Sequence, residues 1–203
     1  SGLAKSLNRA AKRVSDLLLI TASAILVLPV FALLAVLIKL DSRGPVLFGH
    51  TRLGRDGQHF KTWKFRTMVP NAEQVLHEHL SSNPELAAEW EATQKLREDP
   101  RVTRIGKFLR ATSLDELPQL INVVVGEMSL VGPRPIVDEE VQRYGNQFEL
   151  YKMVRPGITG YWQVSGRSDT DYEQRVRLDT YYVKNWSVWM DIVILAKTIG
   201  VVL

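Results

Sequence analysis

The sequence predicts an α+β protein: a helix-rich single domain with one small antiparallel β-hairpin, preceded by an N-terminal re-entrant membrane helix-break-helix. Three observations carry this. Residues 17–38 hold no charge and are interrupted by Pro29, two alternating strands flank Asp56-Gly57, and good helix formers dominate from Asn71 onward. With 203 residues there is room for one domain with a proper core and one appended element. The division is residues 1–43 for the basic N-terminal segment and membrane element, and residues 44–203 for the folded domain with interfacial helices.

The 22 residues from Leu17 to Ile38 carry polar side chains only at Thr21 and Ser23, and that is membrane length. Lys39-Leu40-Asp41 follows, so there is no small-residue cleavage site and the segment is not a secretory signal. Pro29 removes a backbone donor and presses its ring on the Ile25 carbonyl, which predicts a kink. The two arms then measure roughly 18 and 14 Å, each about half of a hydrocarbon core of roughly 30 Å. Lys5, Arg9, Lys12 and Arg13 precede the segment and Lys39 and Arg43 follow it. Basic flanks of this kind favour the cytoplasmic side for both ends. A re-entrant hairpin satisfies that, with the Thr21 or Ser23 hydroxyl nearest to the freed carbonyl. One kinked spanning helix is the alternative.

Beyond it, residues 45–53 and 58–66 read as strands joined by Gly54-Arg55-Asp56-Gly57, a hairpin with an Asp-Gly turn. Residues 71–96 give two helices with a break at Ser81-Ser82-Asn83-Pro84. From Arg101 to Arg110 the basic residues Arg101, Arg104, Lys107 and Arg110 recur every third position, with Ile105, Phe108 and Leu109 opposite. That spacing predicts a helix with one basic and one buried face. The chain begins Ser1-Gly2 without an initiator methionine, which points to a protein extending further upstream.

Composition excludes several classes. With no cysteine there are no disulfides or thiolate metal sites, which fits a reducing setting. The net charge of +4 is modest and the basicity is local. No aromatic residues interleave on the basic face, so nucleic acid is not expected as a partner.

Ser113-Leu114-Asp115-Glu116 fits a helix capping box, with Ser113 as N-cap and Glu116 at the third helical position. The same residues fit chemistry. A carboxylate at a helix N-terminus beside Arg110 is expected to stay ionised, and an ionised Asp115 among cations is a nucleophile for phosphorus. Glu116 could coordinate Mg²⁺ and offset the charge of a diphosphate. Neighbouring acids cannot point the same way from one helix, so such a pair needs an irregular start.

Gly132-Pro133-Arg134-Pro135 stiffens the backbone around Arg134, which suits an anion clamp as well as an ordinary proline turn. Residues 155–167 are glycine-rich between Arg155 and Arg167, so backbone N–H groups there could approach a phosphate. Trp162 reads as core before it reads as a stacking platform. Tyr181, Tyr182, Trp186 and Trp189 precede apolar Ile192-Val193-Ile194-Leu195, a pattern of headgroup anchoring or of a buried terminal helix.

The ordered set Lys64-Phe65-Arg66-Thr67-Met68, Asp99-Pro100-Arg101, residues 113–119, Gly132-Pro133-Arg134-Pro135 and Pro156-Gly157-Ile158-Thr159-Gly160 resembles the bacterial sugar transferases, the monotopic polyprenyl-phosphate phosphoglycosyltransferases. The resemblance runs from about Lys12 to the last residue. It implies a UDP-hexose donor, an undecaprenyl phosphate acceptor, Mg²⁺ as cofactor and a monotopic place in the bacterial inner membrane facing the cytoplasm. By resemblance Asp115 is the nucleophile that releases UMP, Glu116 the metal ligand and Arg110 the basic residue before the pair. The substrate-binding residues are then expected among Arg134, Lys64, Arg66, Arg101, Arg155 and Arg167. Gly49-His50-Thr51-Arg52 and Glu89-Trp90-Glu91 look like the galactose-transferring type, with glucose the rival. A homodimer is among the assemblies the resemblance allows. Leu28 stands where some relatives have serine before the hairpin proline. The reading opposed to an enzyme is a membrane-tethered nucleotide-binding module without catalysis.

Overall fold

We describe residues 2–93, 96–166 and 171–202 in a computed structural model. The chain enters through α1 (Ser6–Asp41), then β1 (Leu47–Leu53) and β2 (His59–Phe65), followed by α2 (Ala72–Ser82), α3 (Pro84–Thr93) and α4 (Arg104–Ala111). After a single tight turn at Leu114–Glu116 come α5 (Gln119–Val125), β3 (Ser129–Val131), α6 (Val141–Tyr144) and α7 (Phe148–Lys152). The chain continues with β4 (Gly157–Thr159), α8 (Tyr172–Asn185) and α9 (Val188–Val202).

The expected hairpin is present, with antiparallel β1 and β2 in register from Leu47 opposite Phe65 to Leu53 opposite His59. Asp56 and Gly57 take left-handed φ values of 59° and 72°, as a tight turn with this sequence requires. The break between α2 and α3 falls at Asn83, whose side chain accepts from the Glu85 N–H. A second sheet was not foreseen. It is parallel, pairing Ser129 with Gly157 and Val131 with Thr159.

α1 differs from the expected helix-break-helix. It remains helical through Pro29 over 36 residues, because the turns on both sides keep their ladders and proline forfeits only its own donor. The two hydroxyls expected to serve the freed carbonyl are engaged elsewhere. Thr21 donates to the Leu17 carbonyl and Ser23 to the Ile20 carbonyl. The middle of α1 is bare, with Ile25, Leu26 and Leu28 exposed.

Both ends of α1 dock on the same body. Near its start, buried Lys12 and Asp16 enter a polar cluster: Lys12 Nζ lies 2.7 Å from Asp191, and Ser129 donates to Asp16 at 2.6 Å. Tyr182 and Trp186 also donate to Asp191, at 2.7 and 3.0 Å. Near its end, Leu34 and Ile38 pack on Phe65 and Leu109, while Asp41 accepts the Ile105 N–H at 3.0 Å. Asp41 and Thr103 thereby satisfy donors at the start of α4.

The basic helix is shorter than expected. It starts at Arg104, leaving Arg101 outside, and Phe108 is exposed although Leu109 is fully buried. The C-terminal aromatics divide between the two alternatives. Tyr182 and Trp186 are core, whereas Tyr181 and Trp189 face outward along with Ile192 and Ile199.

Candidate active site

Ser113 governs the geometry of the acidic pair. Its φ of 56° is left-handed, an uncommon conformation for a residue with a Cβ, and it turns the chain off the axis of α4. Asp115 and Glu116 then lie in a tight 3₁₀ turn, and α5 begins only after Pro118. The capping box is therefore not formed. Ser113 makes no capping hydrogen bond, and Glu116 turns instead to Lys64 of β2, Oε1 to Nζ 2.6 Å. A cross-element ion pair replaces the local one.

Asp115 has 15% of its side chain exposed and lies 3.8 Å from Lys64 Nζ. Burial raises its pKa above the usual carboxylate range; Lys64 and Arg110 oppose this and Glu116 adds to it. The sequence reading counted only groups that favour the charged form, and desolvation acts against them. Arg110 is held beside the pair by its Nε, which donates to Thr67 Oγ1 at 2.9 Å.

On one side of the turn, Lys64, Glu116, Gln119 and Arg134 line a polar cleft of about 270 Å³ together with His50 and Arg52. Arg52 is pushed below its ordinary pKa by burial and by the neighbouring charge of Arg134. Sequence reasoning named His50 and Arg52 only as marks of resemblance. The usable signal was strand alternation: Phe48, His50 and Arg52 share a face of β1, opposite Lys64 and Thr62 of β2.

The loop bearing Arg134 is fixed by close backbone contact. The Gly132 N–H donates to the Thr159 carbonyl and the Gly157 N–H to the Pro133 carbonyl, at 2.9 and 2.8 Å. A Cβ on Gly157 would come within 2.1 Å of the Gly132 nitrogen. The two glycine motifs therefore depend on each other. Behind them, fully buried Asp179 accepts from Tyr144 at 2.8 Å and interacts with the Arg134 backbone.

The structure thus gathers Asp115, Glu116, Lys64, Arg110 and Arg134. Three other nominated arginines are committed elsewhere. Arg66 donates to Ser42 and to the Arg43 carbonyl, securing the end of α1. Arg101 forms a two-point pair with Asp99, at 2.8 and 2.6 Å, and lies over Trp90. Arg155 donates to the Gly126 carbonyl at 2.5 Å, close to Arg13 and Arg55. Arg167 lies outside the described residues.

A larger and mainly apolar cleft of about 660 Å³ adjoins the polar one, sharing Glu116, Ile158 and Gln163 with it. Glu116 of the acidic turn thus lines both a charged space and an oily one. No cluster of three or more acidic, histidine or cysteine ligands occurs among the described residues. The adjacent carboxylates still suit Mg²⁺, which commonly takes one or two carboxylates and completes its shell with phosphates and water.

A family model described as bacterial sugar transferase matches residues 7–203. The UDP-galactose-lipid carrier transferase of Erwinia amylovora is 54% identical over 203 residues, 100% of this chain and 42% of that protein. The undecaprenyl-phosphate galactose phosphotransferase of Salmonella typhimurium is 50% identical over the same span, again 42% of its length. The exopolysaccharide production protein ExoY of Sinorhizobium fredii is 48% identical over 202 residues, 100% of this chain and 89% of that protein. The chain spans about two fifths of the length of the first two.

Proposed function

The chain belongs to the bacterial sugar transferases, and from this premise we propose that it moves a hexose-1-phosphate from a UDP-sugar to undecaprenyl phosphate through a covalent intermediate on Asp115. The observation that carries the proposal is the placement of Asp115: shielded from water, flanked by Lys64 and Arg110, on a turn whose Glu116 lines both a charged cleft and an apolar one. A shielded carboxylate among fixed cations can approach a phosphorus whose own charge would otherwise repel it.

An Asp115 carboxylate oxygen attacks the β-phosphorus of the donor. The bond from that phosphorus to the bridging oxygen breaks, and UMP leaves with the electron pair. A phosphate oxygen of the lipid acceptor then attacks the same phosphorus, and the bond to Asp115 breaks. The polyprenyl diphosphate sugar departs with the carboxylate restored. Arg134 and Arg52 face the polar cleft and suit the donor's phosphates. Lys64 holds Glu116 and lowers the Asp115 pKa, favouring the ionised form of the nucleophile. Glu116, with the donor's diphosphate, would hold Mg²⁺, which when bound supplies charge neutralisation at the transferring group.

The substrate lipid cannot leave the bilayer, so the site has to lie at its surface. A monotopic position on the cytoplasmic face of the bacterial inner membrane is supported by α1, whose two ends dock on one body while its apolar middle is left bare for lipid. The outward Trp189 and Phe108 suit the interface. Galactose is the favoured hexose and glucose the second, to be separated by UMP release across a panel of UDP-sugars.

The decisive experiment omits the acceptor. Wild-type protein in lipid, given UDP-hexose labelled in the sugar, takes up label covalently, and Asp115→Asn takes up none. Equal labelling of the two removes Asp115 from the nucleophile's role.

A further inference from the structure

The apolar cleft also has polar groups in its lining. Leu117, Leu120 and Leu195 line its body, while Trp162, Gln163 and Arg175 also face it. Each of these last three has a buried polar atom without a hydrogen-bond partner: Trp162 Nε1, Gln163 Oε1 and Arg175 Nε. The Arg175 guanidinium lies over the Trp162 ring, 4.6 Å from its centroid, and Trp162 is only 7% exposed. Buried polar atoms without partners are costly, and three in one wall mark a place that polar ligand atoms fill. Two of the three are N–H donors, one on a cation, so the complementary group is an anion. Glu116 is the single acid among the described lining residues, and it sits with Ser113 and Leu114 on the turn that carries Asp115.

We propose that this cleft is the acceptor subsite, in which Arg175 and Trp162 hold the phosphate head of a lipid monophosphate and Leu117, Leu120 and Leu195 receive the first part of its chain. The occupant follows from the chemistry of the cavity, in which Arg175 is the one cation among the described residues lining an oily groove. Continuity with the polar cleft through Glu116, Ile158 and Gln163 brings the head toward the turn where a phosphosugar on Asp115 would wait. The assignment rests on the function proposed above. It adds a residue, Arg175, that none of the sequence motifs singled out.

The test separates the two half-reactions. Protein in nanodiscs is first labelled with sugar-labelled UDP-hexose, then chased with a short polyprenyl phosphate, and loss of protein-bound label is timed. Arg175→Ala is expected to take label to within about twofold of wild type but to discharge it about tenfold or more slowly, the scale of a lost charge-assisted hydrogen bond. Arg175→Lys recovers part of the rate, and Leu120→Trp, which fills the groove, slows the chase without preventing labelling. A chase by Arg175→Ala at the wild-type rate overturns the assignment. So does loss of labelling and chase together, or competition by inorganic phosphate as effective as that of the lipid. Failure of the wild type to take label sinks the covalent reading instead, so the two outcomes are distinguishable.

Discussion

In the proposed role of nucleophile Asp115 must be ionised to attack phosphorus, yet burial holds its pKa above the ordinary value, so its reactivity there depends on the charges around it. The ionised fraction is lost as pH falls through the raised value. Labelling by UDP-hexose is therefore expected to show an acid limb above the range of an exposed aspartate. Lys64→Met removes a cation that lowers the pKa and moves the limb to higher pH, whereas Glu116→Gln removes a like charge and moves it lower. Initial labelling rates across the acid range decide this; a limb unmoved in both variants would assign the titration to another group. Asp179 obeys the same rule with a different readout. Full burial pushes its pKa up from 3.8 to about 7, with the Tyr144 hydroxyl, the Arg134 backbone and the charges of Arg134 and Arg175 opposing. Between those values the folded chain keeps a proton that the unfolded chain has released, so stability from this residue is present at low pH and is lost as pH rises toward about 7. The difference in Tm between wild type and Asp179→Asn is expected to shift in favour of the variant as pH rises through that window. A difference that is flat with pH would show Asp179 ionised throughout.

Elements shaped by local chemistry behave differently from those made by distant contact, and glycine substitutions expose the contrast. Gly157→Ala places a methyl 2.1 Å from the Gly132 nitrogen and 2.4 Å from the Thr159 carbonyl oxygen, so β3 and β4 must separate and the Arg134 loop must move. We expect a lower Tm and loss of UMP release together. Gly200→Ala on α9 meets nothing within 4 Å and replaces a poor helix former, so it should stabilise by about 0.5 to 1 kcal/mol without changing activity. Thermal unfolding beside a UMP assay checks both; a Gly157→Ala protein that melts and turns over like wild type would show that the two loops do not depend on each other. The same contrast decides what was legible in the sequence. The β1–β2 hairpin, the pair α2 and α3 and the apolar length of α1 are written in neighbouring residues: an Asp-Gly turn, a proline break, an uncharged run. The β3–β4 pair was not, because strands of three residues carry no period and meet only through tertiary glycine contact. Ser113 to Glu116 misled for a related reason. The tetrapeptide satisfies the capping pattern, but Lys64, remote in sequence, takes Glu116 away. Arg66 and Arg101 lie in recognisable motifs, and only the fold shows that the end of α1 and Asp99 have already engaged them.

At the scale of the molecule α1 and the rest of the described fold are one unit, joined at two distant points of α1. The Lys12–Asp16–Asp191 cluster ties its start to α9 and Ser129, and Leu34, Ile38 and Asp41 tie its end to β2 and α4. A helix of 36 residues is about 54 Å long, ample to cross a hydrocarbon core of about 30 Å. A crossing would place its two ends on opposite surfaces. Separating the start from the body would leave buried Asp191 without Lys12 and part Asp16 from Ser129, and breaking such a buried pair costs on the order of 3 to 5 kcal/mol in other proteins. Both docking sites can be kept only if the start and end of α1 lie on the same side of the bilayer. The absence of cysteine makes this directly measurable, since a single introduced thiol is the sole target of a maleimide. Ser6→Cys and Arg43→Cys, one at each end of α1, are expected to react with a membrane-impermeant maleimide in inside-out vesicles and to be protected in right-side-out vesicles. Opposite accessibility of the two would establish a spanning helix, and the docking of one end would then have to be abandoned in the membrane.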